Sequence, residues 1–286
     1  MTPSSSRAVY TYANLARGPF QVRRRTLAPL LIAAALLLPP WPGPPAALGA
    51  TGEIGLLALG DSIAAGADLG EEWSYPRRLG QRVANETGLA VRYLNRSRPR
   101  ERSGGVLAGQ LYGLAEFAPR LVTLTVGAND YLVPSFECVA SRIDDVPALS
   151  CNPPDLSATT PTLESNLRQI LDRLTSETDA SIAVTTYYNP YPRGSPCAPG
   201  VADLSVRYVN AAISRVVAEF GERATLVDLM LLFRGHEGRA PVGWFAPSPL
   251  SVLCLDIHPN AEGQSAIASA VWDAIGSRLR GLFLSA

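Results

Sequence analysis

The chain has 286 residues, with 25 basic and 25 acidic side chains, and every lysine-or-arginine position is an arginine. Five of those arginines and no acid precede residue 51, which leaves 20 against 25 in the remainder, a net charge of −5. That sign argues against a nucleic-acid partner, and about 235 residues beyond the leader suit one large α/β domain with a substantial core.

Residues 1–50 read as a leader. Arg23-Arg24-Arg25 precede an apolar run, Leu27 to Leu38, broken only by Pro29; the Pro-rich stretch 39–45 and the small residues Ala47-Leu48-Gly49-Ala50 follow. A basic start, a short apolar run and a small-residue exit describe a secretory signal, with cleavage near Gly49 or Ala50. The run falls short of the ~20 residues that span a bilayer. The expectation is a secreted chain 51–286 with no stable membrane insertion; an uncleaved leader would instead anchor it at the cell surface.

After the leader, strands and helices alternate. Ile54–Leu59 is a short apolar run, read as a buried strand, and it stops at Gly60-Asp61-Ser62. A helix is predicted over 75–86, with Pro76 in its first turn. Strand 90–94, helix 105–117 and strand 121–126 follow. The spacing of Leu163, Leu167, Ile170, Leu171 and Leu174 predicts a helix over 163–175. Strand 181–186, helix 202–220 and strand 224–228 lead to a last helix over 261–282, where Ile267, Val271, Ile275 and Leu279 repeat at i+4. Five strands alternating with helices predict a parallel sheet covered on both faces, a three-layer α/β/α sandwich. Ligands in such sheets bind at the carboxyl ends of the strands. Gly60-Asp61-Ser62, Gly127-Ala128-Asn129-Asp130 and Tyr187-Tyr188-Asn189 each follow a strand and are therefore expected on one rim. The long connections 131–161, 187–201 and 229–257 read as walls of a binding cleft.

The chain has only two histidines. His258 lies in Asp256-Ile257-His258-Pro259-Asn260, and His236 in a polar, Gly-rich loop. A serine hydroxyl attacks poorly until a base takes its proton, and an imidazole suits that task near neutral pH. Ser62 is therefore the candidate nucleophile, His258 its base and Asp256 the acid that orients the imidazole. Asn129 offers a side-chain amide, and Gly104 and Ser62 offer backbone N–H groups, as donors to an oxyanion. Structural readings compete: Gly60-Asp61-Ser62 as a plain turn, Asn129 as an Asx-turn residue, His258-Pro259-Asn260 as a helix start, and His236 as a solvated loop residue. Asp61 and Asp130 read as hydrogen-bond anchors. Tyr187, Tyr188, Trp244 and Phe245 either line an acyl pocket or pack the loops.

Taken in order, Leu57-Ala58-Leu59-Gly60-Asp61-Ser62, Arg102-Ser103-Gly104-Gly105, Gly127-Ala128-Asn129-Asp130 and Asp256-Ile257-His258-Pro259-Asn260 resemble the four blocks of the SGNH (GDSL) hydrolase superfamily. The resemblance spans residues 54–282. It implies a flavodoxin-like fold, ester hydrolysis without metal or other cofactor, Ser62 and His258 as catalytic residues, and Ser62, Gly104 and Asn129 as the oxyanion hole. The last block departs from the family, whose acid stands three residues before the histidine; Leu255 is there, and Asp256 is two before. The expected activity is that of a secreted serine esterase or lipase, a monomer acting on a small-molecule, lipid or carbohydrate ester. A carbohydrate acetyl esterase and a non-catalytic binding module on the same scaffold are the rivals. Cys138, Cys151, Cys197 and Cys254, an even set in an exported chain, favour two disulfides. Cys138–Cys151 with Cys197–Cys254 is the first choice among three pairings. No CxxC pattern supports a zinc site.

Overall fold

The computed structural model describes residues 52–132, 156–191, 200–238, 243–247 and 257–284. Five strands, β1 (Glu53–Gly60), β2 (Ala90–Asn95), β3 (Leu121–Thr125), β4 (Ser181–Thr185) and β5 (Ala224–Val227), form an all-parallel sheet in the order β2-β1-β3-β4-β5. Both faces of the central strands are covered, which is why they read as continuous apolar runs rather than alternating ones. Ile54, Leu56, Leu57 and Leu59 of β1 have no exposed surface.

The helices are α1 (Ser62–Ala65), α2 (Tyr75–Thr87), α3 (Ser103–Gly109), α4 (Leu114–Phe117), α5 (Leu156–Glu177), α6 (Gly200–Ala218), α7 (Leu229–Leu232) and α8 (Ala261–Leu284). Residues 128–132 are also helical. Helices α2 and α8 pack together on one face, while α3, α5 and α6 pack as a group on the other. The stripe on α5 is fully buried at Leu163, Leu167, Ile170, Leu171 and Leu174, and so are Ile267, Val271 and Ile275 of α8. Side-chain hydroxyls bridge the core: Tyr75 Oη lies 2.7 Å from Thr125 Oγ1, which lies 2.9 Å from Thr185 Oγ1.

The predicted helix over 105–117 is two pieces. Gly113 sits in the left-handed region at φ 57° and starts α4, and the buried Gln110 side chain turns toward β1 instead of continuing a helical stripe. Helix α5 begins earlier than its apolar spacing implies. Its first turns are polar, and Thr160 Oγ1 meets Tyr131 Oη at 2.7 Å. Helices α1 and α7 are four residues each, too short to show a period. The leader, the four cysteines, Phe136 and Asp256 lie outside the described residues.

Candidate active site

Strand β1 ends where only glycine fits. Gly60 has φ +133°, and a Cβ there would stand 2.0 Å from Thr125 O on β3. Its peptide groups are clasped by Gln110, which accepts from Gly60 N at 2.8 Å and donates to Gly60 O at 3.0 Å. Asp61 N donates to Thr125 O at 2.9 Å. The Asp61 carboxylate then accepts from Ile63 N at 3.0 Å, capping α1, so Ser62 becomes the first helical residue at the sheet's edge. Asn210 clasps the backbone of Tyr187 beyond β4 in the same way, accepting from its N at 2.8 Å and donating to its O at 2.7 Å.

His258 arrives from the other end of the chain. Ser62 Oγ lies 2.9 Å from its Nε2. Its backbone is held on both flanks. Tyr188 Oη donates to Ile257 O at 2.8 Å, Ala246 N donates to His258 O at 3.0 Å, and Pro259 bridges Phe245. Asn260 is the start of α8: its side-chain oxygen accepts from Gly263 N at 2.9 Å and its amide donates to Gly243 O at 3.2 Å. The helix-start reading of His258-Pro259-Asn260 thus holds alongside the contact with Ser62. Gln264 of α8 ties the two segments together, accepting from Tyr75 N at 2.8 Å and donating to Ile63 O at 3.2 Å.

The carboxylate on the far side of the imidazole comes from an unforeseen place. Asp68 Oδ2 lies 2.6 Å from His258 Nδ1. Asp68 follows Ser62 by six positions, in the turn after α1, and has φ 67°. No periodicity or block marked it; the only signal was an acid between Gly66 and Gly70, six residues past the proposed nucleophile.

At the end of β3, Asn129 Nδ2 donates to Glu101 O at 3.0 Å, and an amide NH2 carries a second hydrogen. Asp130 is an anchor, as read: its carboxylate accepts from Ser103 N at 3.0 Å and from Ser103 Oγ at 2.5 Å. Those bonds fasten the first residue of α3 to the β3 end, and Gly104 follows, exposed, as the second residue of α3. Backbone N–H groups in a first helical turn have no partner within the helix. Burial raises the Asp130 carboxyl above its ordinary range, opposed by its bonds from Ser103.

Asp61 is the most perturbed carboxylate near the site. It is buried, and burial pushes it up to about 7 against the pull of bonds from Tyr187 Oη and Ile63 N. Burial also holds the Tyr187 and Tyr188 hydroxyls well above their ordinary range, so both stay protonated donors.

Ser62, Asn129 and His258 face a cavity of about 730 Å³, its open mouth included. Ile63, Tyr131, Leu132, Tyr187, Val206 and Val209 make much of its wall. Tyr188 lines it too, whereas Trp244 and Phe245 do not; they pack behind it in a cluster with Tyr188 and Phe233. His236 is no part of the cavity. It stacks on Trp244 with 3.6 Å between ring centroids, so it braces the segment paired with His258.

Residues 58–266 match the model of the GDSL-like lipase/acylhydrolase family. A lipase from Streptomyces rimosus is 28% identical over 226 residues, covering 73% of this chain and 82% of that one. The crystal structure of the extracellular lipase from S. rimosus superposes with a TM-score of 0.55 at 25% identity, over 77% of this chain and 98% of the other. Phospholipase A1 from Streptomyces albidoflavus (TM-score 0.58, 20% identity, 77% and 98% covered) and a family 3 carbohydrate esterase from Clostridium thermocellum (0.53, 20%, 81% and 99%) share the fold. The family match runs from inside β1 into α8 and so takes in the serine, the asparagine and the histidine that meet at the cavity: this chain belongs to the GDSL-like lipase/acylhydrolase family.

Proposed function

We propose that the chain is an exported serine esterase that cleaves carboxylic esters with apolar acyl groups. The observation that carries the reading is Ser62 Oγ at 2.9 Å from His258 Nε2, at the wall of a largely apolar cavity. His258 Nε2 takes the Ser62 proton as Oγ attacks the acyl carbonyl carbon. The oxyanion of the tetrahedral adduct accepts from the Ser62 and Gly104 backbone N–H groups and from Asn129 Nδ2. His258 returns the proton to the departing alkoxide, and an acyl-serine remains. Water, deprotonated by the same imidazole, attacks that acyl group, and a second tetrahedral adduct collapses to the free acid and Ser62.

The lining of Ile63, Leu132, Val206 and Val209 supports an acyl chain over a bare acetyl group, and so favours the lipase reading over sugar deacetylation. Export is supported by residues 1–50 and by similarity to an extracellular lipase. Among the described residues no helix is long and apolar enough to cross a membrane.

One experiment tests both parts. The full chain is expressed in a secreting host, and the culture medium is treated with a fluorophosphonate and mapped by mass spectrometry. The expected result is label on Ser62 in a chain starting near residue 50, and a loss of kcat on nitrophenyl esters of about 10⁴-fold or more in Ser62→Ala. Equal rates for wild type and Ser62→Ala end the serine mechanism. A secreted chain still carrying Arg23 ends cleavage of the leader.

A further inference from the structure

Given the serine-esterase reading on which it rests, we propose that Asp68, in the turn behind the nucleophile, is the positioning residue of His258, and that the reaction does not depend on the acid at 256. Three observations converge. Asp68 Oδ2 lies 2.6 Å from His258 Nδ1 while the opposite ring nitrogen is on Ser62, so one imidazole bridges both groups. The pair is partly shielded, with side chains 31% and 18% exposed. The turn that presents Asp68 is built for it. Ala67 N donates to Ser62 O at 2.9 Å, and Leu69 N and Gly70 N both donate to Gly66 O, at 3.2 and 2.9 Å. Gly66 takes φ 74°, where a Cβ would stand 2.6 Å from Gly70 O.

Asp68 itself takes φ 67°. Aspartate and asparagine tolerate that region better than other residues with a Cβ. A left-handed residue next to a site is strain held by its surroundings, and here the strained residue is the one whose carboxylate reaches the imidazole. Nucleophile and orienting acid thus come from a single short stretch, Ser62 to Asp68, with only the base supplied from afar. Leu255 occupies the position three before the histidine, where the family resemblance implies an acid, and the carboxylate on His258 Nδ1 comes from Asp68.

The carboxylate accepts the Nδ1 proton. That keeps Nε2 unprotonated toward Ser62 in the resting state and balances the ring's charge once it takes the serine proton. An amide in its place leaves the tautomer unselected.

Asp68→Asn is the clean test, because asparagine accepts the same backbone conformation and isolates the loss of the carboxylate from any loss of the turn. The expected result on nitrophenyl esters is a kcat lower by about 10⁴-fold with KM near that of wild type, an unchanged melting temperature, and partial recovery in Asp68→Glu. Asp256→Asn is expected to stay within about threefold of wild type. In ¹⁵N-histidine-labelled protein, a downfield proton on His258 Nδ1 should be present in wild type and Asp256→Asn and absent in Asp68→Asn. A rate for Asp68→Asn within threefold of wild type, or a larger loss in Asp256→Asn, overturns the assignment. Full activity in Ser62→Ala instead removes the serine mechanism, and the proton signal still tells whether Asp68 holds the ring.

Discussion

Asp61 sits beside the proposed nucleophile, yet its contacts are those of a cap. One oxygen accepts from Ile63 N and the other from Tyr187 Oη, with burial around both. Its carboxyl is raised from 3.8 to about 7 because the buried site disfavours the charge. The folded state therefore holds a proton that the unfolded state has already released. Asp61's contribution to stability is complete below pH 3.8, declines as pH rises and is lost by about pH 7. Replacing it with asparagine keeps the acceptor for Ile63 N and removes the titration. Between pH 4 and pH 8 wild type should lose stability relative to Asp61→Asn by a few kcal/mol, on the order of 1.4 per pH unit crossed. Urea unfolding of both proteins at the two pH values reads that difference, and parallel curves would show that Asp61 stays ionised in the fold.

The element that places Ser62 is the junction of β1 and α1, and its glycine is not replaceable. Gly60→Ala would drive a methyl into the Thr125 carbonyl at a backbone angle that residues with a Cβ avoid. The expected cost is at least about 3 kcal/mol, seen as a large drop in melting temperature. Gly88→Ala, also at positive φ but with nothing within 4 Å, should cost only about 1 kcal/mol. Equal melting temperatures for the two variants would mean the β1 end relaxes freely. Elements of this kind divide what the sequence reveals from what it hides. Strand β1 and helix α5 were legible because burial imposes a pattern on every residue of a long element. Ser62 and His258 were legible because scarcity and block order marked them. Asp68, Gln110 and Gln264 were not: each acts through tertiary contacts, with a partner 190, 50 and 201 positions away. Nothing in the spacing of neighbours encodes such a contact.

At the scale of the molecule, strand order β2-β1-β3-β4-β5 puts a topological switch point between β1 and β3, where crossovers leave toward opposite faces and open a crevice at the carboxyl edge. Ser62 follows β1 and Asn129 follows β3, so the proposed nucleophile and a proposed oxyanion donor flank that crevice. Helix α6 closes one side of the cavity with Val206 and Val209. Val206 is only partly buried, so enlarging it narrows the cavity with little strain on the core. Val206→Phe should lower the ratio of kcat/KM for octanoyl over acetyl nitrophenyl ester by about tenfold, the scale of one or two excluded methylenes. Fluorophosphonate labelling of Ser62 should persist. An unchanged ratio would place the acyl chain elsewhere.

The Gln264 bridge has a consequence for how such a chain comes into being. The side chain that joins the two halves of the site belongs to the C-terminal helix, so a polypeptide still emerging from the ribosome has its hydroxyl in hand long before its imidazole. The proposed activity therefore waits on the docking of that final helix, and a product truncated before it is expected to leave esters uncut.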